Sequence, residues 1–161
     1  MFNSKIKSRK ALKSIIYRLQ SQGKKIVFTN GCFDILHYGH AKYLEDAKRK
    51  GDILIVAVNS NASVHKLKGD SRPIVSQIDR AKVIAALESV DFVTIFGENT
   101  PFEIIKLLKP NVLVKGADWN RDSIVGADIV RALGGKVQTI KLAPGRSTTK
   151  IIERIKKISH L

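Results

Sequence analysis

Thr29-Asn30-Gly31-Cys32-Phe33-Asp34-Ile35-Leu36-His37-Tyr38-Gly39-His40 joins a short apolar run, Lys25-Ile26-Val27-Phe28, to a helical segment from Ala41 to Lys50 that stops at Gly51. The stretch reads as a strand-to-helix turn carrying two glycines and two histidines three residues apart. A helix start presents unbonded backbone N–H groups and the positive end of the helix dipole, a setting that suits an anion. With the helix beginning near His37, the imidazoles of His37 and His40 fall on one face, about one turn apart. Gly39 between them has no side chain, which predicts close approach of a ligand to the backbone there. Zinc is the rival reading for paired histidines, but it needs a third ligand and ordinarily a carboxylate base. No Glu stands between His37 and His40, and Cys32 is the one cysteine.

Working outward, the 161 residues are the size of one domain, with a predicted N-terminal helix at about 8–22 and a core over 25–158. Hydrophobic residues make up 43%, enough for a sizeable core. No apolar run reaches membrane-spanning length and no signal-peptide core is visible, so no membrane insertion is expected. A single cysteine allows no internal disulfide, which fits a reducing cytoplasm. The net charge of +15 points toward anionic partners. Its densest patches are Lys5 to Lys10, Lys48-Arg49-Lys50 and Lys156-Lys157, none interleaved with aromatics. No helix-turn-helix or zinc finger accompanies them. The expectation is a solvated basic surface that steers a phosphorylated substrate, without specific nucleic-acid binding.

The rest of the chain alternates strand and helix. Leu12, Ile15, Ile16 and Leu19 keep helical spacing over residues 8–22, up to Gly23. Residues 25–30 and 52–58 are predicted strands, the second an apolar run of the kind covered on both faces in parallel sheets. The polar stretch from Asn59 to Ser76 reads as a long active-site loop. A helix over 78–88 is expected to pack through Ile78, Ala81, Ala85 and Leu87. Strand 92–96, a helix from Pro101 to Leu108, strand 111–114, a helix over 122–133 and strand 136–142 follow. Ser147 then caps a last helix running to about Ser159. Such alternation defines an α/β fold: a doubly wound, parallel, five-stranded sheet with helices on both faces. Ligands in such sheets bind beyond the carboxyl ends of the strands, where the polar motifs fall.

Gly31-Cys32-Phe33-Asp34 followed by His37-Tyr38-Gly39-His40 resembles the HxGH signature of the cytidylyltransferase-like nucleotidyltransferases, whose fold is Rossmann-like. The resemblance implies a catalytic role for His37 and His40, which would contact the nucleotide phosphates and stabilise the departing pyrophosphate. Cys32, Phe33 and Gly39 would lie beside the nucleotide. Asp34 would shape the turn or contact substrate. The family carries a phosphate-binding lysine in the segment His65 to Pro73. Lys68, beside Gly69, is the favoured candidate, with Lys66 pointing the same way in an extended chain. Arg72 and Arg80 would reach the same pocket, the alternative for Arg80 being an ion pair with Asp79 or Glu88. Lys115, Gly116, Asp118 and Trp119 would line the base and ribose pocket. Ser147, Thr148 and Thr149 would cap a helix and bind phosphate together. Mg²⁺ is expected with the triphosphate.

Thr29 to His40, Val56 to Ser60, Leu67 to Pro73, Leu113 to Gly116 and Ser147 to Ile151 also resemble a narrower group, the adenylyltransferases that form ADP-heptose. That similarity covers most of residues 8–158. It implies ATP and a sugar 1-phosphate as substrates, a homodimer, and a stand-alone form in place of fusion to a sugar kinase. Asn61 stands where the wider family tends to carry Asp, at a substrate or ribose contact. The rival activities are cytidylyl transfer to glycerol 3-phosphate and adenylyl transfer to FMN. The rival class is a basic nucleic-acid-binding module.

Overall fold

Strand and helix alternate through the computed structural model, which describes residues 2–120 and 123–159. The strands are β1 (Ile26–Gly31), β2 (Ile53–Asn59), β3 (Phe92–Phe96), β4 (Val112–Gly116) and β5 (Lys136–Ile140). The helices are α1 (Arg9–Ser21), α2 (Tyr38–Lys48), α3 (Asn61–Lys68), α4 (Gln77–Ala85), α5 (Phe102–Leu108), α6 (Ala127–Ala132) and α7 (Thr148–Ile158). All strand pairs are parallel and the order is β3-β2-β1-β4-β5, the Rossmann-like sheet predicted.

Side-chain alternation assigns the two faces. Val27, Leu54, Val56, Val58, Val112 and Val114 point to one side, against Tyr43, Leu44 and Ala47 of α2 and Ala81, Ile84 and Ala85 of α4. Ile26, Phe28, Ile55, Ala57 and Leu113 point to the other, against Leu12 and Ile16 of α1, Ile104, Ile105 and Leu108 of α5, and Ala127 and Val130 of α6. Burial on both faces explains why the strands are continuous apolar runs.

The chain winds outward from β1 in both directions, so the topological switch lies between β1 and β4. These two strands pair only at Val27↔Val112 and Phe28↔Leu113, whereas β1 and β2 stay in register from Ile26↔Ile53 to Gly31↔Val58. Beyond Phe28 the two neighbours therefore part, and the turn after β1 and the loop after β4 flank the opening.

The structure corrects several expectations. Residues 59–76 are not one loop, because α3 occupies Asn61–Lys68. The Ser60 hydroxyl accepts from the Ser63 N–H, and Gly69 at φ 89° ends the helix. Only Ser63 and Val64 of α3 are buried, too short an apolar stripe to show as periodicity. Ile78 is 49% exposed, since α4 begins at Gln77 and packs through Ala81, Ile84 and Ala85. The helix predicted over 122–133 is seen only as α6, and its first residue lies outside the described residues. Gly126 precedes α6 at φ 82°, and a Cβ there would meet Ile105 at 2.8 Å. β5 ends at Ile140, short of the predicted 142. An added segment edges the sheet: a 3₁₀ turn (Phe2–Lys5) leads Ile6 to bridge Val93, and the Lys5 ammonium donates to the carbonyls of Leu87 and Val90.

Candidate active site

The turn after β1 bends sharply. Phe33 and Ile35 adopt φ 48° and 51°, left-handed conformations that cost side-chain-bearing residues on the order of 1–3 kcal/mol each. What holds them is Asp34, whose carboxylate is buried. It accepts from Arg72 Nε at 2.6 Å, from the Val75 N–H at 2.9 Å and from the Ile74 N–H at 3.0 Å. Burial alone would raise its pKa, but the two backbone donors and Arg72 outweigh that and hold it below the usual carboxylate range. The Asp34 carbonyl accepts from the Thr148 hydroxyl at 2.5 Å. One residue thus ties together the turn, the segment before α4 and the start of α7.

Arg80 supports the turn from beneath. It is 2% exposed and donates to the carbonyls of Val75 (2.9 Å) and Cys32 (2.6 Å) and to Asn61 Oδ1 (3.0 Å). Neither Asp79 nor Glu88 pairs with it; Asp79 instead meets the Ser76 hydroxyl at the start of α4. Asn61 is held reciprocally by Gln77, backbone to side chain in both directions at 2.8 Å. Asp34, Asn61 and Arg80, expected on substrate, are thus engaged with one another's segments.

His37 is the N-cap of α2 and His40 lies in its first turn. Their rings stack at 3.8 Å between centroids and 21° between planes, and Phe33 meets His40 edge-on at 5.4 Å. Burial, with His37 adding to it, pushes His40 down to about 4; burial and Arg146 lower His37 as well. Both rings are therefore neutral at pH 7. Each Nδ1 is buried without a hydrogen-bond partner among the described residues. Nε2 is therefore the ring nitrogen open to a ligand.

Gly39 serves a different end from the one its sequence suggested. A Cβ there would lie 2.9 Å from His37 Cε1 and 3.0 Å from the Arg146 Cβ. The glycine leaves room for the imidazole and for the loop before α7.

The surroundings are cationic. Lys68, Arg72, Arg80 and Lys115 all act electrostatically on the Cys32 sulfur, yet burial still raises the thiol above its usual pKa, so it is no thiolate. Lys115, at the end of β4, is pushed down to about 8 by burial. Its ammonium lies 5.3 Å from the Trp119 ring centroid and 3.5 Å from the Asn30 carbonyl, across the opening between β1 and β4. Trp119 is 48% exposed at the rim, and Gly116 leaves room for Asp118, whose Oδ1 would lie 2.5 Å from a Cβ there. Lys66 and Lys68 diverge, because residues two apart on a helix face away from each other. Lys66 reaches Asn99 at 3.3 Å, while Lys68 is the one whose charge is felt at Cys32. At α7, Ser147 caps through its hydroxyl to the Lys150 N–H at 3.2 Å, and the Thr149 hydroxyl has no partner among the described residues.

Asp34, Arg72, Asn61, Arg80 and Thr148 tie the turn to the start of α3, to α4 and the segment before it, and to the start of α7; Lys115 reaches the Asn30 carbonyl from the end of β4, and Lys66 turns away to Asn99. The backbone of Ile74 and Val75 was not singled out, and Arg146 was noted only as close to, but not equivalent to, an arginine that the glycerol-phosphate branch places before its serine-threonine segment. Arg146 carried one signal, its place just before the capping serine. A separate cavity of about 630 Å³ between α1 and α5, lined by Arg9, Lys13, Tyr17 and Lys106 among others, gathers none of these residues.

A parallel sheet with a basic, histidine-bearing turn at its switch point defines a nucleotide-binding α/β protein. The cytidylyltransferase-like family profile matches residues 28–154, and the chain belongs to that family of nucleotidyltransferases. It is 57% identical over 155 residues to the bifunctional protein HldE of Campylobacter jejuni subsp. doylei, covering 96% of this chain and 32% of that one. Against the bifunctional protein HldE of Syntrophotalea carbinolica it is 50% identical over 154 residues, covering 96% and 31%. The chain thus spans about a third of the length of these relatives. Among solved structures it resembles the lipopolysaccharide core biosynthesis protein of Thermoplasma volcanium (TM-score 0.60, 29% identity, 75% of this chain and 98% of that one). The pantoate-beta-alanine ligase of Francisella tularensis shares the fold (TM-score 0.61, 18% identity, 97% and 78%). Among the described residues no helix is long and apolar enough to cross a membrane.

Proposed function

We propose that this chain transfers an adenylyl group from ATP to a sugar 1-phosphate, heptose 1-phosphate, giving ADP-heptose and pyrophosphate. The observation that carries the reading is the stacked, neutral His37–His40 pair at the start of α2, facing a cluster of cations at the switch point. The likeness of five sequence segments to the ADP-heptose-forming group, and the identity to the HldE proteins, support the choice of nucleotide and sugar.

An oxygen of the sugar phosphate attacks the α-phosphorus. The new P–O bond forms as the bond to the bridging α–β oxygen breaks, and pyrophosphate leaves with that electron pair. The nucleophile is already an anion and needs no base, so the protein's work is positioning and charge stabilisation. His37 and His40 donate from Nε2 to the phosphates, and Lys115 and Trp119 border the nucleoside. Mg²⁺, if bound with the triphosphate, would neutralise part of its charge. Among the described residues no three His, Cys, Asp or Glu converge to cage a metal, and the Asp34 carboxylate is engaged by the framework. The test is pyrophosphate release with ATP, GTP and CTP against heptose 1-phosphates, other sugar 1-phosphates, glycerol 3-phosphate and FMN. Release with ATP and a heptose 1-phosphate is expected. Preference for CTP with glycerol 3-phosphate, or for FMN, would replace this reading.

Lys68 is assigned to the acceptor phosphate. In Lys68→Ala, kcat/KM for that phosphate should fall about 10–100-fold, the worth of one charge-assisted hydrogen bond. Lys68 is exposed, so the melting temperature should hold. Unchanged kinetics for both substrates would return Lys68 to the solvated surface.

A homodimer is supported by α7, which buries none of its residues and leaves Ile155 and Ile158 54% and 60% exposed on one face. Sedimentation velocity should show a dimer that Ile155→Glu converts to monomer; a monomeric parent protein would end this idea.

A further inference from the structure

We propose that Arg80 gives the site a buried positive charge that the fold leaves unbalanced, that a bound phosphate balances it, and that the neutral amide of Asn61 keeps it unbalanced until then. The proposal rests on the nucleotidyl-transfer reading only in taking the ligand to be a phosphate. Arg80 is a positioning residue in it, acting through the turn without touching the ligand.

Among the described residues the buried charged side chains are Asp34, Arg80 and Lys115, and all of them belong to this site. Asp34 is the one acid among them, and Arg72 already holds its carboxylate at 2.6 Å. The balance of buried charge is therefore positive. Arg80 carries the excess, because a guanidinium keeps its proton in a protein. Its hydrogen bonds are met: Nε donates to the Val75 carbonyl, Nη1 to the Cys32 carbonyl and Nη2 to Asn61 Oδ1. All of these oxygens are neutral. Among the described residues no carboxylate forms an ion pair with Arg80, and the charge of Asp34 acts on it without a bond between them. Neutral acceptors satisfy the donors of a buried cation but not its charge, and an unpaired buried charge is costly. Burial accordingly pulls the Arg80 pKa down.

Asn61 is where a carboxylate would settle the balance. Its Oδ1 accepts from Arg80 at 3.0 Å and from the Gln77 N–H at 2.8 Å, and its backbone N–H donates to Gln77 Oε1. An aspartate would keep these bonds and add the missing negative charge. It would also stand at the first residue of α3, where the helix dipole favours an anion. With Asn61 in place, the chain gives up that stabilisation and retains a positive potential beneath the turn. The potential reaches the turn directly, since Arg80 bonds the Cys32 carbonyl and its charge is felt at the Cys32 sulfur. A phosphate beside the turn is the counter-charge supplied from outside.

The experiment compares Asn61→Asp with the parent chain and with Ala62→Asp, which places the same charge one residue on, at an exposed position of α3. Melting temperatures are read without ligand, and calorimetry gives the affinity for inorganic pyrophosphate. Asn61→Asp should melt about 2–4 °C higher than the parent, the shift of a modest stability gain in a chain of this size. Its affinity for pyrophosphate should fall about 10-fold, the worth of one charge acting through a partly screened medium. Ala62→Asp should bind pyrophosphate within about twofold of the parent, because an exposed charge is screened by salt and water. Gain of stability with loss of affinity is the signature; a merely structural role moves both in one direction. Unchanged affinity in Asn61→Asp would overturn the proposal, as would a lowered melting temperature beside the lowered affinity. An equal loss in Ala62→Asp would assign the effect to the general surface charge and overturn it too, and so would a parent protein that does not bind pyrophosphate. A parent that binds pyrophosphate but releases none from any nucleotide and acceptor would sink the transfer reading alone. The opposed shifts in Asn61→Asp would still uphold the role of Arg80.

Discussion

His40→Ala should lower turnover about 10²–10³-fold while changing nucleotide affinity little, the loss typical of one donor aimed at developing charge. His40 is the deeper ring of the stacked pair, packed against Phe33, and its environment keeps it neutral. A neutral donor binds the ground-state phosphates modestly and gains most as negative charge grows on the leaving pyrophosphate. The same burial has a thermodynamic counterpart. In the unfolded chain the imidazole titrates near 6.5, whereas folded it titrates at about 4. On acidification the unfolded state takes up the proton first, so the contribution is intact above pH 6.5 and lost as pH falls toward 4. By pH 5 that amounts to about 2 kcal/mol from this one group. Denaturant titrations at pH 7 and pH 5 should show the loss in the parent protein and a smaller one in His40→Ala. Near-normal turnover in the variant would remove the pair from the chemistry, and an equal pH dependence would place the acid lability elsewhere.

Asp34→Ala is expected to be the most damaging single change to the fold near the site, at about 3–5 kcal/mol, the cost of removing one partner of a buried pair. The substitution leaves Arg72, the Ile74 N–H and the Val75 N–H without their acceptor, and it releases Phe33 and Ile35 from the turn they are bent into. Asp34→Asn keeps the shape and one acceptor oxygen but turns an NH₂ toward groups that also donate, so it should cost less than Asp34→Ala while losing the charged pair and one set of hydrogen bonds. Chemical denaturation with pyrophosphate release on the same samples separates the two effects. A stability change within about 0.5 kcal/mol for Asp34→Ala, the range of an ordinary surface substitution, would show that Asp34 is not the turn's anchor.

Much of this could be read from the chain. β1, β2 and β4 declare themselves because strands buried on both faces must be apolar throughout, and Gly23 and Gly51 mark where α1 and α2 give way. The histidine turn was legible because backbone polarity, glycine and spacing coincide in twelve residues. What stayed hidden was three-dimensional. α3 buries only Ser63 and Val64, so it had no stripe to see, although Ser60 and Gly69 are start and stop signals in hindsight. Arg80 read as a pocket cation or an ion-pair partner of Asp79 or Glu88; it lies inside because three oxygens from separate segments converge on it. Gly39 was read against a ligand when the atoms that crowd it belong to His37 and Arg146. Local pattern shows which residues are special, while their partners come from distant segments.

The bond from the Thr148 hydroxyl to the Asp34 carbonyl spans 114 positions. Residues of the first loop wait for one made 114 positions later before their pocket is complete. A nascent chain can lay down β1, β2 and β4 and cover them with helices while the first loop remains unlatched. Only when the segment around Arg146, Ser147 and Thr148 has emerged does the turn acquire its second helix start. Assembly of the site is thereby ordered in time, with binding competence arriving after the sheet itself, so a product cut short before Thr148 would keep its core and lose its latch.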